Sequence, residues 1–318
     1  MVHSSSDLND TQFSTTSSKP KYRGRFAPSP TGPLHLGSLY TALASFLQAK
    51  SQQGEWYLRI DDVDPFRTIA DSADRILRTL ETFGLHWNGP ILYQSERLEA
   101  YRAALARLDH QELLYPCTCS RKDLASFSDG NTDASIYPGF CRNRNKKPVT
   151  DPHALRVITE NAAVTFEDML QGPVTQNLAN DVGDFIVFRR DAVYAYHLAT
   201  VLDDDEQGIT EVVRGVDLLD STPRQIYLQR LLGLPTPVYA HVPVLLDQMG
   251  LKLSKQTYAD PVDGQNPSST LVSLLTLLNQ NPPPDLQSAK TDDVLDWALR
   301  NWDISRLSAQ RTIPVNLS

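Results

Sequence analysis

Pro28-Ser29-Pro30-Thr31-Gly32-Pro33-Leu34-His35-Leu36-Gly37-Ser38 ends an extended run and opens a helix, and the rest of the chain is read outward from that junction. Residues 22–27 precede it as a strand. Prolines and Gly32 then break the chain. A helix begins near His35, with Leu39, Leu43, Phe46 and Leu47 spaced for one buried face. A helix start offers unpaired N–H groups and a positive dipole end, so His35 and Gly37 sit where a phosphate can be held. Gly37 has no side chain, which lets a nucleotide approach the backbone. Far along the chain, Lys252-Leu253-Ser254-Lys255 places two cations on a loop over 250–258. Either fragment alone is more often a turn or a solvated loop. In this order, with a strand ahead of the first, they read as two halves of a site that transfers an adenylyl group.

The alternation of strand and helix continues to residue 110. The run Glu-Trp-Tyr-Leu-Arg-Ile at 55–60 is rich in β formers. Ile69, Ala73, Ile76, Leu77 and Leu80 predict a helix over 67–83, ended by Gly84. Leu98, Tyr101, Leu105 and Leu108 predict one face of a further helix from about Ser95. Such alternation implies a parallel sheet whose ligands lie beyond the carboxyl ends of the strands. From 111 to about 181 it lapses. That stretch carries many Pro, Asn and Asp residues and only short β-like runs such as 154–159, and reads as an insertion. Alternation resumes over 184–190, 193–201 and 209–214, and a helix over 223–232 follows, ended by Gly233. The acidic run Asp203-Asp204-Asp205-Glu206 reads as a solvated turn. The 63 residues after Lys255 are Pro-rich, with helical patterns at 271–278 and 292–300, enough for one small helical module.

A chain of 318 residues has room for two domains and an appendage. No apolar run approaches the roughly 18 residues of a membrane span. Residues 1–20 are rich in Ser and Thr without an apolar core, so they read as a disordered tail and not a secretory signal, and the default location is cytoplasmic. A net charge of −8 argues against indiscriminate nucleic-acid binding. A local patch is still allowed: Arg121, Lys122, Arg142, Arg144, Lys146 and Lys147 form either an RNA contact or a solvated loop. All three cysteines, Cys117, Cys119 and Cys141, fall within 25 residues. An odd number cannot all pair as disulfides. Thiolates favour Zn²⁺, and a structural site wants four ligands. Tyr137, His110 and His153 are candidates for the fourth, against the alternative of three ordinary buried thiols. A metal here would staple the insertion, without a part in catalysis.

At this point six runs resemble, in order, the class I glutamyl-tRNA synthetases. They are Arg25-Phe26-Ala27-Pro28-Ser29-Pro30-Thr31-Gly32, His35-Leu36-Gly37-Ser38, Leu58-Arg59-Ile60-Asp61-Asp62-Val63-Asp64, Ala195-Tyr196-His197-Leu198-Ala199, Val212-Val213-Arg214-Gly215 and Lys252-Leu253-Ser254-Lys255. Within that group the chain is similar to the shortened paralogues, because the residues after Lys255 are too few for a large anticodon-binding region. The pattern Cys117, Cys119, Tyr137, Cys141 also resembles the zinc site of those paralogues.

The resemblance implies an α/β fold: a Rossmann-like doubly wound parallel sheet with an inserted zinc-bearing α+β subdomain and a small helical C-terminal module. The implied divisions are a tail at 1–20, first half at 21–110, insertion at 111–183, second half at 184–247, and a KMSKS-type loop with helices at 248–318. It implies a glutamate pocket lined by Arg25, Phe26, Ala27, Pro28 and Ser29, with Arg25 and Arg214 as carboxylate partners, since guanidinium groups grip carboxylates bidentately. Asp61 would receive the α-ammonium and Tyr196 would close the pocket. Gly32, His35, Gly37, Ser38, Lys252 and Lys255 would contact ATP, with His35 and Lys255 catalytic. It further implies one structural Zn²⁺, ATP with Mg²⁺ as substrate, and queuosine in the anticodon loop of tRNA(Asp) as acceptor, for a monomer without a membrane partner. The first rival is an enzyme that charges a tRNA 3′ end with its anticodon module on a separate chain. A nucleotidyltransferase acting on a cofactor precursor is disfavoured by the arginine and tyrosine set, and a silent binding module by the two lysines. Two residues depart from the family: Asp61 stands for the usual Glu, and Thr200 for the Asn common in glutamyl-tRNA synthetases. Ser38 in place of a second His is ordinary for the group.

Overall fold

Strand β1 (Arg23–Phe26) buries three of its four residues and pairs in parallel with β2 (Glu55–Ile60), which pairs in parallel with β3 (Leu92–Tyr93). These elements belong to a computed structural model that describes residues 21–126, 136–142, 152–161, 163–253, 262 and 264–315. Helix α1 (Leu36–Ser51) carries the chain from β1 to β2. It is buried almost all round from Leu39 to Ala49, packed into one core with residues of the sheet and of the C-terminal helices. Helices α2 (Ser72–Thr82) and α3 (Leu98–His110) complete the first half. The sequence extends α2 back to residue 67, but the helix starts at Ser72. Asp71 adopts a left-handed φ of 58°, which no helix interior accepts, and the Ile69 amide is committed to the Pro30 carbonyl at 2.9 Å. Ile69 is consequently exposed, and so is Leu98 on the first turn of α3.

The inserted stretch holds β4 (Leu114–Cys117), α4 (Arg121–Ser126), β5 (Ala154–Val157), β6 (Ala163–Asp168), β7 (Gly172–Asn177) and α5 (Leu178–Asp181). Strand β8 (Phe185–Phe188) joins β4 and β5 in an antiparallel sheet of order β4-β5-β8. The β6–β7 hairpin goes elsewhere, as seen next. Of the predicted basic patch, Lys122 is exposed on α4, while Arg144, Lys146 and Lys147 lie outside the described residues.

The second half runs α6 (Tyr196–Glu206), β9 (Glu211–Gly215), α7 (Thr222–Leu232) and β10 (Val238–Val242). The run at 193–201 thus becomes the start of a helix. Gly233 ends α7 in the left-handed region expected of a glycine cap, at φ 62°. Strands β9 and β10 pair in parallel, and β10 also pairs with β6, giving the order β7-β6-β10-β9. The Thr210 amide donates to the Arg23 carbonyl at 2.9 Å, which brings β9 beside β1. The parallel strands therefore run β3-β2-β1-β9-β10, and their order reverses between β1 and β9, where doubly wound sheets bind ligands. Beyond β10 come β11 (Val244–Leu246), α8 (Pro267–Leu277), α9 (Thr291–Asn301) and β12 (Thr312–Pro314), with β12 paired to β11. The two tail helices match the sequence patterns and join the core of α1 through Leu271, Leu274, Leu275, Val294 and Leu295, with α9 against α1 and α8 against α9.

Candidate functional site

A cleft of about 620 Å³ opens beyond the carboxyl ends of β1 and β9. One wall is the exit of β1, Phe26 to Ser29, and Asp61 follows directly after β2. Tyr196, at the first turn of α6, faces it, and Gly215, Asp217 and Leu218 leave β9 into it. The start of α1 and the segment at Lys252 and Leu253 form the remaining sides.

His35 is the N-cap of α1. Its Nδ1 accepts the Ser38 amide at 3.2 Å, and its Nε2 lies 2.9 Å from Ser38 Oγ. Gly37 leaves little room for a side chain: a Cβ there would stand 3.2 Å from His35 Nδ1 and 3.3 Å from the Leu253 carbonyl oxygen. The amino end of the helix and the lysine segment thus meet at one place, although more than two hundred residues separate them. Lys252 Nζ is bonded to Asp217 Oδ2 at 2.5 Å, and Lys255 lies outside the described residues. Gly32 is tied to α2 on both sides, its N–H donating to Ser72 Oγ at 2.9 Å and its carbonyl accepting from that hydroxyl at 2.7 Å.

Behind the cleft the charges are buried and interlocked. Asp204 accepts from Arg59 Nη1 at 2.6 Å and from Arg25 Nε at 3.2 Å, and Arg59 Nε donates to Asp61 Oδ1 at 2.7 Å. Asp203, one residue earlier, takes Gln94 at 2.8 Å, Tyr101 at 2.7 Å and Arg97 at 3.3 Å. The acidic run is therefore no solvated turn. Residues 203 and 204 face inward on α6, because Arg25 and Arg59 are buried on the strands beneath and need carboxylate partners, while Asp205 and Glu206 face solvent. Burial raises the Asp61 carboxyl to about 6 despite the opposing Arg59 charge. Burial acts on Asp204 in the same direction, but Arg25 and Arg59 outweigh it and hold it below the usual carboxylate range.

Arg214 is buried on β9. Its Nε donates to His241 Nε2 at 3.0 Å and its Nη2 to Thr222 Oγ1 at 2.7 Å. Its Nη1 and the Thr200 Oγ1 on α6 are buried and find no hydrogen-bond partner among the described residues. Arg59, Asp168 and His241 take part in this centre with no role assigned to them from the sequence, and Asp204 was expected only in a solvated turn. For Arg25, Arg59 and Arg214 a signal existed: arginines inside apolar strand runs demand buried partners.

The sulfur atoms of Cys117, Cys119 and Cys141 lie within 4.8 Å of one another. The Tyr137 hydroxyl is 3.5 Å from Cys117 Sγ and 3.8 Å from Cys119 Sγ, and it accepts the Cys141 amide at 2.9 Å. Arg156 donates to Cys117 Sγ at 3.2 Å and covers the Tyr137 ring at 3.6 Å. Burial pushes Cys141 up, but bonds from Tyr137 and neighbouring groups outweigh it and bring the thiol down to about 7, whereas burial leaves Cys119 raised to about 11. His110 and His153, the other candidates, are not in this cluster.

A parallel sheet with its cleft at the switch point, a histidine-capped helix start and an apposed lysine segment define a nucleotide-dependent ligase of the class I synthetase type. Residues 21–270 match the family of class I tRNA synthetases (E and Q), catalytic domain, and the chain belongs to that family. Among curated relatives, the glutamyl-Q tRNA(Asp) synthetase of Methylococcus capsulatus is 55% identical over 92% of this chain and 95% of its own length. Proteins of the same name from Ectopseudomonas mendocina and Aromatoleum aromaticum are 49% and 48% identical, over 92% and 90% of this chain and 97% and 90% of theirs. Among solved structures, the glutamate-tRNA synthetase of Elizabethkingia anophelis superposes with a TM-score of 0.75 at 26% identity, covering 94% of this chain and 68% of that one. A glutamate tRNA ligase from Elizabethkingia meningosepticum, in complex with its amino acid, gives 0.76 at 26% identity over 94% and 67%. No helix among the described residues is long and apolar enough to cross a membrane.

Proposed function

We propose that the chain activates glutamate with ATP and transfers the glutamyl group to queuosine in the anticodon loop of tRNA(Asp). The observation that carries this reading is the single cleft shared by the β1 exit, the start of α1, Asp61, Tyr196 and Lys252. The names of its relatives, at 45–55% identity over most of both chains, favour this acceptor over the 3′ end of a tRNA. Glutamate binds against Arg25, Phe26, Ala27, Pro28 and Ser29, its ammonium at Asp61 and the Tyr196 ring over it. Arg214 takes a carboxylate: buried donors such as its Nη1 are satisfied in nearly all proteins, and a ligand acceptor would do so here. ATP lies along Gly32, His35, Gly37, Ser38, Lys252 and Lys255.

A carboxylate oxygen of glutamate attacks the α-phosphorus of ATP in line, pyrophosphate leaves, and glutamyl-adenylate forms. A nucleoside hydroxyl then attacks the activated carbonyl and AMP leaves. No protein nucleophile is needed. Catalysis is positioning together with stabilisation of charge developing on the phosphates, where His35 and Lys255 act. Mg²⁺ accompanies ATP and neutralises phosphate charge when bound.

One structural Zn²⁺ is held by Cys117, Cys119, Cys141 and Tyr137. Three converging sulfurs, one of them easily deprotonated, fit a thiophilic ion. The divisions at 21–110, 111–183, 184–247 and 248–318 stand as the proposed domain plan, with the β6–β7 hairpin of the insertion joined to β10. Supplying labelled glutamate and ATP with tRNA that carries or lacks queuosine, then digesting the RNA, tests the whole reading. Label is expected on the modified nucleoside; label on the terminal adenosine would establish the rival.

A further inference from the structure

Arg214 lies on β9, one residue before Gly215 of the cleft wall, and a buried chain of polar groups fixes its side chain. Asp168 closes β6, His241 lies on β10 directly opposite Arg214 on β9, and all three are almost fully buried. Asp168 Oδ1 accepts three backbone amides, from Leu170 at 3.1 Å, Gln171 at 2.9 Å and His241 at 3.2 Å. Its other oxygen, Oδ2, is 2.5 Å from His241 Nδ1. The far side of the ring, Nε2, accepts from Arg214 Nε at 3.0 Å and has Thr222 Oγ1 at 3.1 Å, a hydroxyl that can also donate to it.

These contacts admit one arrangement of protons. Arg214 Nε always carries a hydrogen, so His241 Nε2 must present a lone pair. Nδ1 then carries the ring proton and donates it to Asp168. Of the five donors on Arg214, Nε is spent on His241, and Nη2 points at Thr222 Oγ1 (2.7 Å) and the Leu218 carbonyl (3.4 Å). The two hydrogens of Nη1 are left over. We propose that Asp168 and His241 are positioning residues for the glutamate site: the carboxylate sets the tautomer of the imidazole, and the imidazole holds Arg214 so that only Nη1 is presented to the substrate carboxylate. The inserted segment thus extends the sheet beside β10 and sets the geometry of a binding arginine. This inference rests on the reading of Arg214 as a carboxylate partner.

Asp168→Asn separates the relay from simple packing. The three backbone amides keep the side-chain oxygen of the asparagine, so its NH₂ faces His241 Nδ1. The ring must then accept there and carry its proton on Nε2, opposing the Arg214 N–H. A tautomer imposed by a carboxylate is lost to an amide in the same way in the serine-protease triad. The expected result is a KM for glutamate raised by at least about tenfold, the scale of one misplaced charge-assisted bond, with KM for ATP unchanged. ¹⁵N NMR of labelled histidine should show His241 as the Nδ1–H form in the native enzyme and as the Nε2–H form in the variant. If the variant does not fold, the native tautomer still decides: an Nε2–H or doubly protonated His241 overturns the relay. So does a folded variant with native KM for glutamate. Arg214→Lys distinguishes the underlying reading. A native KM there would refute the glutamate pocket itself, while a raised KM there with a native KM in Asp168→Asn would refute the relay alone.

Discussion

The centre behind the cleft and the cysteine cluster both bury arginines, but they rest on different foundations. Arg25 and Arg59 lie against a core that takes in β1, β2, α1, α8 and α9, and carboxylates from the chain balance them. Among the described residues, the cysteine cluster has Tyr115, Cys117, Tyr137 and Cys141 as its buried apolar residues. There Asp184 ties Tyr115 at 2.7 Å and Thr159 at 2.7 Å, and Arg156 spans Cys117 Sγ and the Asp184 carbonyl. Where apolar burial is ample, buried charge can be reserved for binding. Where it is scarce, polar bonds take over the structural task.

The largest expected effect breaks the first region. Asp204→Asn leaves Arg25 and Arg59 without their shared carboxylate, and removing one partner of a buried ion pair costs about 3–5 kcal/mol. Urea unfolding should show that loss; a change under about 1 kcal/mol would mean that the charges are solvated. Lys255→Ala comes next. It should lower pyrophosphate exchange by at least about 10²-fold, the scale of one lost electrostatic stabiliser, with ATP affinity less affected. A near-native exchange rate would remove Lys255 from the chemistry.

The third effect is a pH dependence. Asp61 is raised by burial to about 6, so it loses its charge as pH falls through that value, and the ammonium of glutamate loses its partner. KM for glutamate should rise about tenfold from pH 7 to pH 5, one ionised fraction in ten remaining, and Asp61→Asn should flatten the profile. Stability runs in the opposite direction. A carboxyl whose folded pKa lies above its unfolded value stabilises the folded apoprotein more at low pH and loses that contribution as pH rises toward about 6. The smallest catalytic effect belongs to the second region. Removing zinc with a chelator, or Cys141→Ser, should lower Tm and increase hydrogen exchange around β4 and β5. Glutamate activation should stay within about twofold. A collapse of activation along with the fold of the insertion would show that the two regions are not separable.

Much of the catalytic half is legible because its signals are local. The turn at 28–38, the face of α1, the strand at 55–60 and the two tail helices follow from spacing and from breakers. Cys117, Cys119 and Cys141, close in sequence, also lie together in space, with the Tyr137 hydroxyl beside Cys117. What misled was also local. The apolar spacing extended α2 across Asp71, whose left-handed backbone no periodicity reveals. The acidic run at 203–206 resembled a turn because nothing near it in sequence shows that arginines at 25 and 59 lie below.

The sequence alone determined most element types, the parallel α/β class and the groups proposed to meet substrate, since helix and strand periodicity and short motifs are properties of neighbouring residues. Only the tertiary structure decided which charges are paired, that a hairpin of the insertion supports β10, and that Asp168 and His241 stand behind Arg214. Those contacts join residues 73 and 27 positions apart. Long-range pairing depends on which strand lies beside which, and side-chain electrostatics acquires its strength only once packing has excluded water from between the partners.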